Sequence, residues 1–375
     1  MVQRASSRSD APSPRFVKVI APLLLFVSGA VALVYEVIWQ RQFAVVFGSA
    51  APATAAVLAA YFAGLGAGSW VVGRVAHRWT RPLRAYAILE LFVGAGALLV
   101  RPLLEMLDAL RPAEISAEAA SLSSFAPRLA IAFLALLLPT FCMGGTLPLL
   151  GRFVDAGQRR LGVTAGWLYV ANTMGAGLGA LSVPFLLLPS MGVTHTVQVG
   201  VGINIGLAAL AWWADLRSSE LRVSPMKDAE RAGRASDAAG RARGVLACAL
   251  ISGVVTFALQ TLWNRAFAQV HENSMYSFAV IVAAVIVALA LGAELARAGL
   301  RRGVPPKRLV GGAWMAGGAA VAIGPWLFWL LTGGLSYLPG DGGWLGHAAK
   351  LLGLALALLL APMTLLGVGL PALME

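Results

Sequence analysis

The chain has 375 residues, of which 59% are hydrophobic and only 12% charged, and its mean hydropathy is +0.78. No soluble core of this size needs so much apolar surface, so the composition excludes a soluble globular fold and points to a protein embedded in a bilayer. The formal charge of +12 invites a nucleic-acid reading, but the distribution of the cations excludes it. They gather in alternate loops: Arg4, Arg8, Arg15 and Lys18; Arg74, Arg78, Arg81 and Arg84; Arg152, Arg159 and Arg160; Arg217 to Arg243; then Arg297, Arg301, Arg302, Lys307 and Arg308. The loops between them are poor in charge or acidic, as at Glu105, Asp108, Glu114 and Glu118. The positive-inside rule then predicts a cytoplasmic N-terminus and an even number of spans, with the lipid bilayer as partner and no nucleic acid.

Crossing roughly 30 Å of hydrocarbon takes about 20 helical residues. Apolar runs of that length predict spans at 17–39, 50–73, 84–106, 127–151, 163–187, 193–214, 244–265, 275–297, 308–332 and 347–371. The expected fold class is an all-α polytopic helix bundle of about ten transmembrane helices. Residues 1–16 form a cytoplasmic tail, 17–214 a first membrane repeat of six helices, 215–243 a cytoplasmic linker, and 244–375 a second repeat of four. The first run is too long for the apolar core of a cleaved signal, so it reads as an anchor. The linker carries twelve charged residues of both signs among Ser, Ala and Gly, the composition of a solvated connection.

In the first span, Glu36, Trp39 and Gln40 share a helical face, while Arg41 lies about 140° round from Glu36 at 3.6 residues per turn. Two readings stand. Trp39 and Arg41 anchor the outer boundary as part of an interfacial belt, or Glu36 turns into the bundle to meet a cationic solute or a proton, because ionisable groups inside spans face partners or cavities. Glu90, two turns into the third span, is expected to face the interior opposite an Arg or Tyr, or to snorkel back toward Arg84. In the fifth span Tyr169, Asn172 and Thr173 fall on one face, and Gly175 and Gly179 form a small-residue packing strip. Asn172 needs a hydrogen-bond partner, on another helix or on a ligand. Glu294 and Arg297, one turn apart near a helix end, read as a surface pair. Cys142 and Cys248 lie in spans with no CxxC spacing and read as inert thiols. Nothing in the sequence spaces a nucleophile and base, a metal cluster or a cofactor loop, so no cofactor and no metal is expected and the chain is read as a non-enzyme.

Ser28 to Gly68 recurs without gaps at Ser252 to Gly292 with thirteen identities, among them Trp39/Trp263, Arg41/Arg265 and Phe43/Phe267. Pro139–Leu150 recurs at Pro362–Leu373 on nearly the same offset. Such a period makes the chain one membrane unit written twice. Because the linker follows an even number of spans, the copies are expected to be parallel, related by an axis along the membrane normal. Trp39, Arg41, Trp263 and Arg265 persist as shared structural anchors, whereas Glu36 becomes Gln260. Against this ruler Glu375 corresponds to about Arg152, and the expectation is of a fragment or shortened frame lacking counterparts of Leu161–Asp215.

The loop GRVAHRWTRP (73–82) resembles the major facilitator motif between the second and third helices, Gly-x-x-x-Asp-Arg-x-Gly-Arg. Gly73, Arg78 and Arg81 fit it, while His77 and Thr80 replace the Asp and the second Gly. The resemblance implies a gate-like loop whose charge latch is weakened by His77. Taken together, SGAVALVYEVIWQR, GLGAGSWVVGR, LLLPTFCMGGTLPLL and GWLYVANTMGAGLGA resemble the membrane region of fused major-facilitator/spermidine-synthase-like bacterial proteins. That resemblance implies a bacterial inner membrane location and a soluble aminopropyltransferase-like domain that this sequence does not contain. Two functions follow as expectations. One is a transporter-like module for a small polar or cationic solute such as a polyamine, with Glu36, Glu90, Tyr169, Asn172 and Thr173 as candidate ligand-binding residues. The other is a non-transporting membrane scaffold that anchors or feeds a synthase-like domain, or docks missing C-terminal helices, supplied elsewhere.

Overall fold

The computed structural model describes residues 14–47, 51–109, 122–157, 161–217, 228–271, 275–338 and 343–374. Among the described residues there is no strand. The long helices are α1 (Pro14–Phe47), α2 (Ala51–Val75), α3 (Pro82–Ala109), α4 (Leu122–Gly157), α5 (Leu161–Ser182), α6 (Leu188–Arg217), α7 (Asp228–Val270), α8 (Met275–Arg301), α9 (Pro306–Leu331) and α10 (Gly343–Gly367), followed by the short α11 (Gly369–Met374). Eight segments of the described residues are long and apolar enough to cross a membrane. The architecture is that of a multi-pass membrane helix bundle.

One of those segments, Trp167–Arg217, runs for 51 residues, about 77 Å if straight at 1.5 Å per residue and far more than one bilayer core. It is broken where it must be. A π turn at Val183–Leu187 carries Pro184, and Gly192 has φ 71° and ψ 179°, which no residue with a side chain adopts cheaply. α5 and α6 are therefore two helices folded back at Gly192. The N-terminal part of α7 covers residues 228–243, which the composition assigned to the linker. Ala, Arg and Glu propagate helix well, and the continuous hydrogen-bond ladder from α7 extends into them.

Lipid tails supply no hydrophobic drive between helices, so contacts rest on close packing of small residues. α1 packs along α5, α2 along α4, and α3 against both α4 and α6; α8 packs on α10, α9 on α10, and α5 on α8. At the α1–α5 contact, a Cβ on Gly175 or Gly179 would collide with the backbone oxygen of Phe26 or Ala30, and one on Gly29 with Asn172. Gly68 meets the Phe141 carbonyl and Gly144 the Leu65 carbonyl in the same way between α2 and α4. These glycines let backbones touch, as the small-residue spacing of the fifth span predicts. Apolar side chains close the gaps. One cluster centres on Leu24, Leu25, Tyr86 and Leu149, a second on Tyr35, Trp39, Tyr61 and Leu136, and a third on Phe267, Leu351, Leu359 and Met363. A fourth, with Val37, Ile38, Leu58, Ala180 and Phe278, joins α1, α2 and α5 to α8.

Candidate functional site

Among the described residues of the first half of the chain two carboxylates, Glu36 and Glu90, are buried, and each sits in its own polar cluster. Glu90, on α3, is fully buried. Ser28 Oγ on α1 donates to its Oε1 at 2.6 Å, and Asn204 Nδ2 on α6 donates to its Oε2 at 2.6 Å. Asn204 Oδ1 in turn accepts from the Tyr35 hydroxyl at 2.7 Å. Tyr86 lies within reach of Glu90 one turn away, and its hydroxyl donates to the Leu24 carbonyl at 3.3 Å. Three helices thus converge on one carboxyl whose hydrogen-bond partners are neutral. A buried carboxyl is tolerable only when its oxygens are satisfied, and here both are.

Glu36, on α1, is 4% exposed. The Tyr61 side chain on α2 hydrogen-bonds to it, and the Tyr61 hydroxyl also donates to the Ala32 carbonyl at 3.3 Å. Tyr61 belongs to a run of aromatic rings. Tyr35 stacks on Trp39 at 5.5 Å, Trp39 meets Tyr61 edge-on at 6.5 Å, and Tyr61 meets Phe62 at 5.7 Å. Phe62 then touches Phe257 of α7 at 5.6 Å. Gln260, the counterpart of Glu36, lies one turn beyond Phe257 on the same face and is itself buried. Three polar atoms in this neighbourhood of α1 and α7 are buried without a hydrogen-bond partner: Trp39 Nε1, Gln40 Oε1 and Asn264 Nδ2. Gln40 and Asn264 occupy equivalent positions of the two copies. Unsatisfied buried amides are rare enough that each calls for a ligand, a water or an ion.

The remaining candidates fall elsewhere. Glu90 faces the interior, but its partners are Ser28, Asn204 and Tyr86 of its own helix in place of the expected Arg or Tyr from another helix. Asn172 approaches Gly29 of α1 and Thr173 is buried, whereas Tyr169 is 41% exposed. Among the described residues these three share no hydrogen bond with Glu36 or Glu90. Trp39 and Trp263 differ from the expected interfacial anchors. Trp39 is 1% exposed within the aromatic cluster, and Trp263 packs edge-on against Phe328 at 5.6 Å. Arg41 and Arg265 are exposed, so the Trp–Arg pair divides into a core residue and a surface residue. Position near a helix end suggested a belt; the large flat ring is instead used to fill space between helices. Cys142 and Cys248 are both free thiols, and Glu294 pairs with Arg297 at the surface.

In the loop after α2, Gly73 has room for a side chain, His77 sits in a 3₁₀ turn at Ala76–Arg78, and Arg78 is exposed. Arg81 makes an ion pair. With Arg84 it binds Asp215 at the end of α6, at 3.3 Å and 2.6 Å, and the Arg84 guanidinium lies 4.8 Å from the Trp212 ring. The carboxylate facing these two arginines is therefore supplied by α6 and not by the loop. A further polar knot joins the second half: His271 meets His347 nitrogen to nitrogen at 2.8 Å and Ser277 at 2.9 Å, and its ring lies parallel to Tyr337. The sequence reading overlooked Ser28, Asn204, Asp215, His271 and His347. Asn204 had the same signal as Asn172, an amide inside an apolar run, and Asp215 is the acid at the edge of a basic loop.

The chain matches no protein-family model, no curated protein and no solved structure.

Proposed function

We propose that this chain is a transporter-like membrane module that binds a small cationic solute, of the organic-amine class, at Glu36. The observation that carries the reading is the buried Glu36 carboxylate with the unpartnered Gln40 oxygen one turn on, hydrogen-bonded to Tyr61, whose ring meets Trp39 in one aromatic cluster with Tyr35. An ammonium group entering there meets a negative charge, a second acceptor and aromatic faces, the three features that recognise organic cations. The ring contact from Phe62 to Phe257 sets this site beside α7, whose equivalent positions carry Gln260 and Asn264.

The packing order supports two parallel repeats. α2 with α4 and α3 with α4 have counterparts in α8 with α10 and α9 with α10, and α5 against α8 links the halves. In the positive-inside orientation the Arg81–Arg84–Asp215 latch lies at the cytoplasmic end, where it ties α3 to α6. The resemblance to the membrane region of major-facilitator/spermidine-synthase-like proteins gives the same class of protein and makes a polyamine the first solute to try. Uptake of radiolabelled spermidine and putrescine into proteoliposomes containing the full chain tests the reading. Saturable uptake that Glu36→Gln abolishes is the expected result; flux equal to that of empty liposomes overturns it.

A further inference from the structure

We infer that Glu90 is a proton-binding site coupled to the Glu36 site, with the Asn204 amide passing the state of Glu90 to Tyr35. The coupling rests on the solute reading above; the proton site does not.

The amide of Asn204 is directional. Its Nδ2 donates to Glu90 Oε2 at 2.6 Å while its Oδ1 accepts the Tyr35 hydroxyl at 2.7 Å. That arrangement suits only a Glu90 oxygen that accepts. When Glu90 takes a proton on Oε2, drawn from water on one side of the membrane, this oxygen becomes a donor. Asn204 must then turn its Oδ1 toward it, which presents Nδ2 to Tyr35 and obliges the tyrosine hydroxyl to accept instead of donate. Release of the proton restores the first arrangement. The only bond made and broken is the carboxyl O–H.

Tyr35 is well placed to pass the change on. Its ring stacks on Trp39 at 5.5 Å, and Trp39 meets edge-on the Tyr61 ring that hydrogen-bonds Glu36. On its other side it is held against Gly200, where an added Cβ would lie 2.8 Å from the ring. A hydroxyl whose bonding reverses therefore moves a ring that is stacked on Trp39.

The groups that face Glu90 leave the proton as its natural counter-ion. From α1 come Ser28 and Tyr35, from α3 Tyr86, from α4 Cys142 and from α6 Asn204. Tyrosine and cysteine can supply a neutral donor or a negative charge, never a positive one. The second half does not repeat this cluster. Ser252 matches Ser28, but the position matching Glu90 is Trp314, so a single carboxyl of this kind serves both copies.

Two measurements on the full chain in lipid test this. The first is the infrared difference spectrum between high and low pH without solute. A carbonyl-stretch band from a protonating carboxyl is expected, lost in Glu90→Gln and displaced in Asn204→Leu and in Glu90→Asp. A wild-type spectrum without that band, or a band unchanged in Glu90→Gln, overturns the proton site. The second is spermidine affinity across the same pH range. A change of about tenfold, within the usual range for coupled sites, is expected in the wild type and absent in Glu90→Gln and Tyr35→Phe. Equal pH dependence in the wild type and Tyr35→Phe overturns the coupling. An intact band with no spermidine binding at any pH supports the proton site and overturns the solute reading instead.

Discussion

Gly29 and Gly253 stand at the same place in the two copies, and the structure predicts opposite consequences for one identical substitution. A Cβ on Gly29 would lie 2.8 Å from Asn172 Oδ1 and closer still to the Asn172 backbone oxygen. Ordinary contact begins at 3.4 Å, so the α1 and α5 backbones would have to part by more than about 0.6 Å, because the backbone oxygen is closer than Oδ1, along a face that also carries the Gly175 and Gly179 contacts. Overpacking of this kind costs about 1–3 kcal/mol. At Gly253 an added Cβ meets nothing within 4 Å, and Gly→Ala in an exposed helix interior stabilises by up to about 1 kcal/mol. The two variants are thus expected to differ by about 2–4 kcal/mol, with Gly29→Ala destabilised and Gly253→Ala unchanged or improved. Equilibrium unfolding of the purified chain in mixed micelles, followed by circular dichroism, measures both on one scale. Equal effects at the two positions, or a stabilised Gly29→Ala, would refute the α1–α5 packing derived above.

Other variants probe the polar clusters. Glu90→Leu strands the Ser28 hydroxyl and the Asn204 amide, and should lower stability by about 2–6 kcal/mol, the summed cost of two buried unsatisfied groups; the same unfolding assay reads it, and Glu90→Gln should recover part of the loss. Asp215→Asn removes the carboxylate that Arg81 and Arg84 share. Because those two side chains are about a third exposed, the loss should be near 1 kcal/mol, and it should shrink in high salt. His347→Leu leaves His271 Nε2 without its partner and should lower the melting temperature by an amount corresponding to about 1–3 kcal/mol; an unchanged melting curve would show that the histidine pair holds nothing together. Gly200→Ala forces the Tyr35 ring away from α6, and should weaken spermidine binding more than it weakens folding.

The helices were legible because their signal is long. The expected spans fall mainly on described helices, since twenty apolar residues leave the backbone no other way to satisfy itself in hydrocarbon, but 163–187 runs on into the π turn, 347–371 crosses from α10 into α11, and eight segments of the described residues, where ten were expected, are long and apolar enough to cross. The small-residue strip of the fifth span was legible for the same reason: Gly175 and Gly179 repeat at a spacing that only helix contact uses. The polar clusters were harder to read. Glu90 was expected inside, but its partners lie 62 residues before it at Ser28 and 114 after it at Asn204, and no local pattern joins residues so far apart. Asp215 answers the motif loop from the end of α6, so a search within the loop for the absent Asp could not find it. Trp39 shows the opposite failure. A tryptophan beside an arginine at a helix end has an interfacial signature, yet residues two positions apart on a helix point about 160° apart, so the Trp39 ring turns inward onto Tyr35 and Tyr61 while Arg41 turns out.

Equilibrium binding of radiolabelled spermidine to the full chain in lipid nanodiscs, wild type against Glu36→Gln, bears most directly on the central claim. The site described here predicts saturable binding by the wild type and at least about a tenfold loss in the variant, the scale of one charge-assisted contact removed from a buried site. Binding that Glu36→Gln leaves unchanged, or no saturable binding by the wild type, would contradict it.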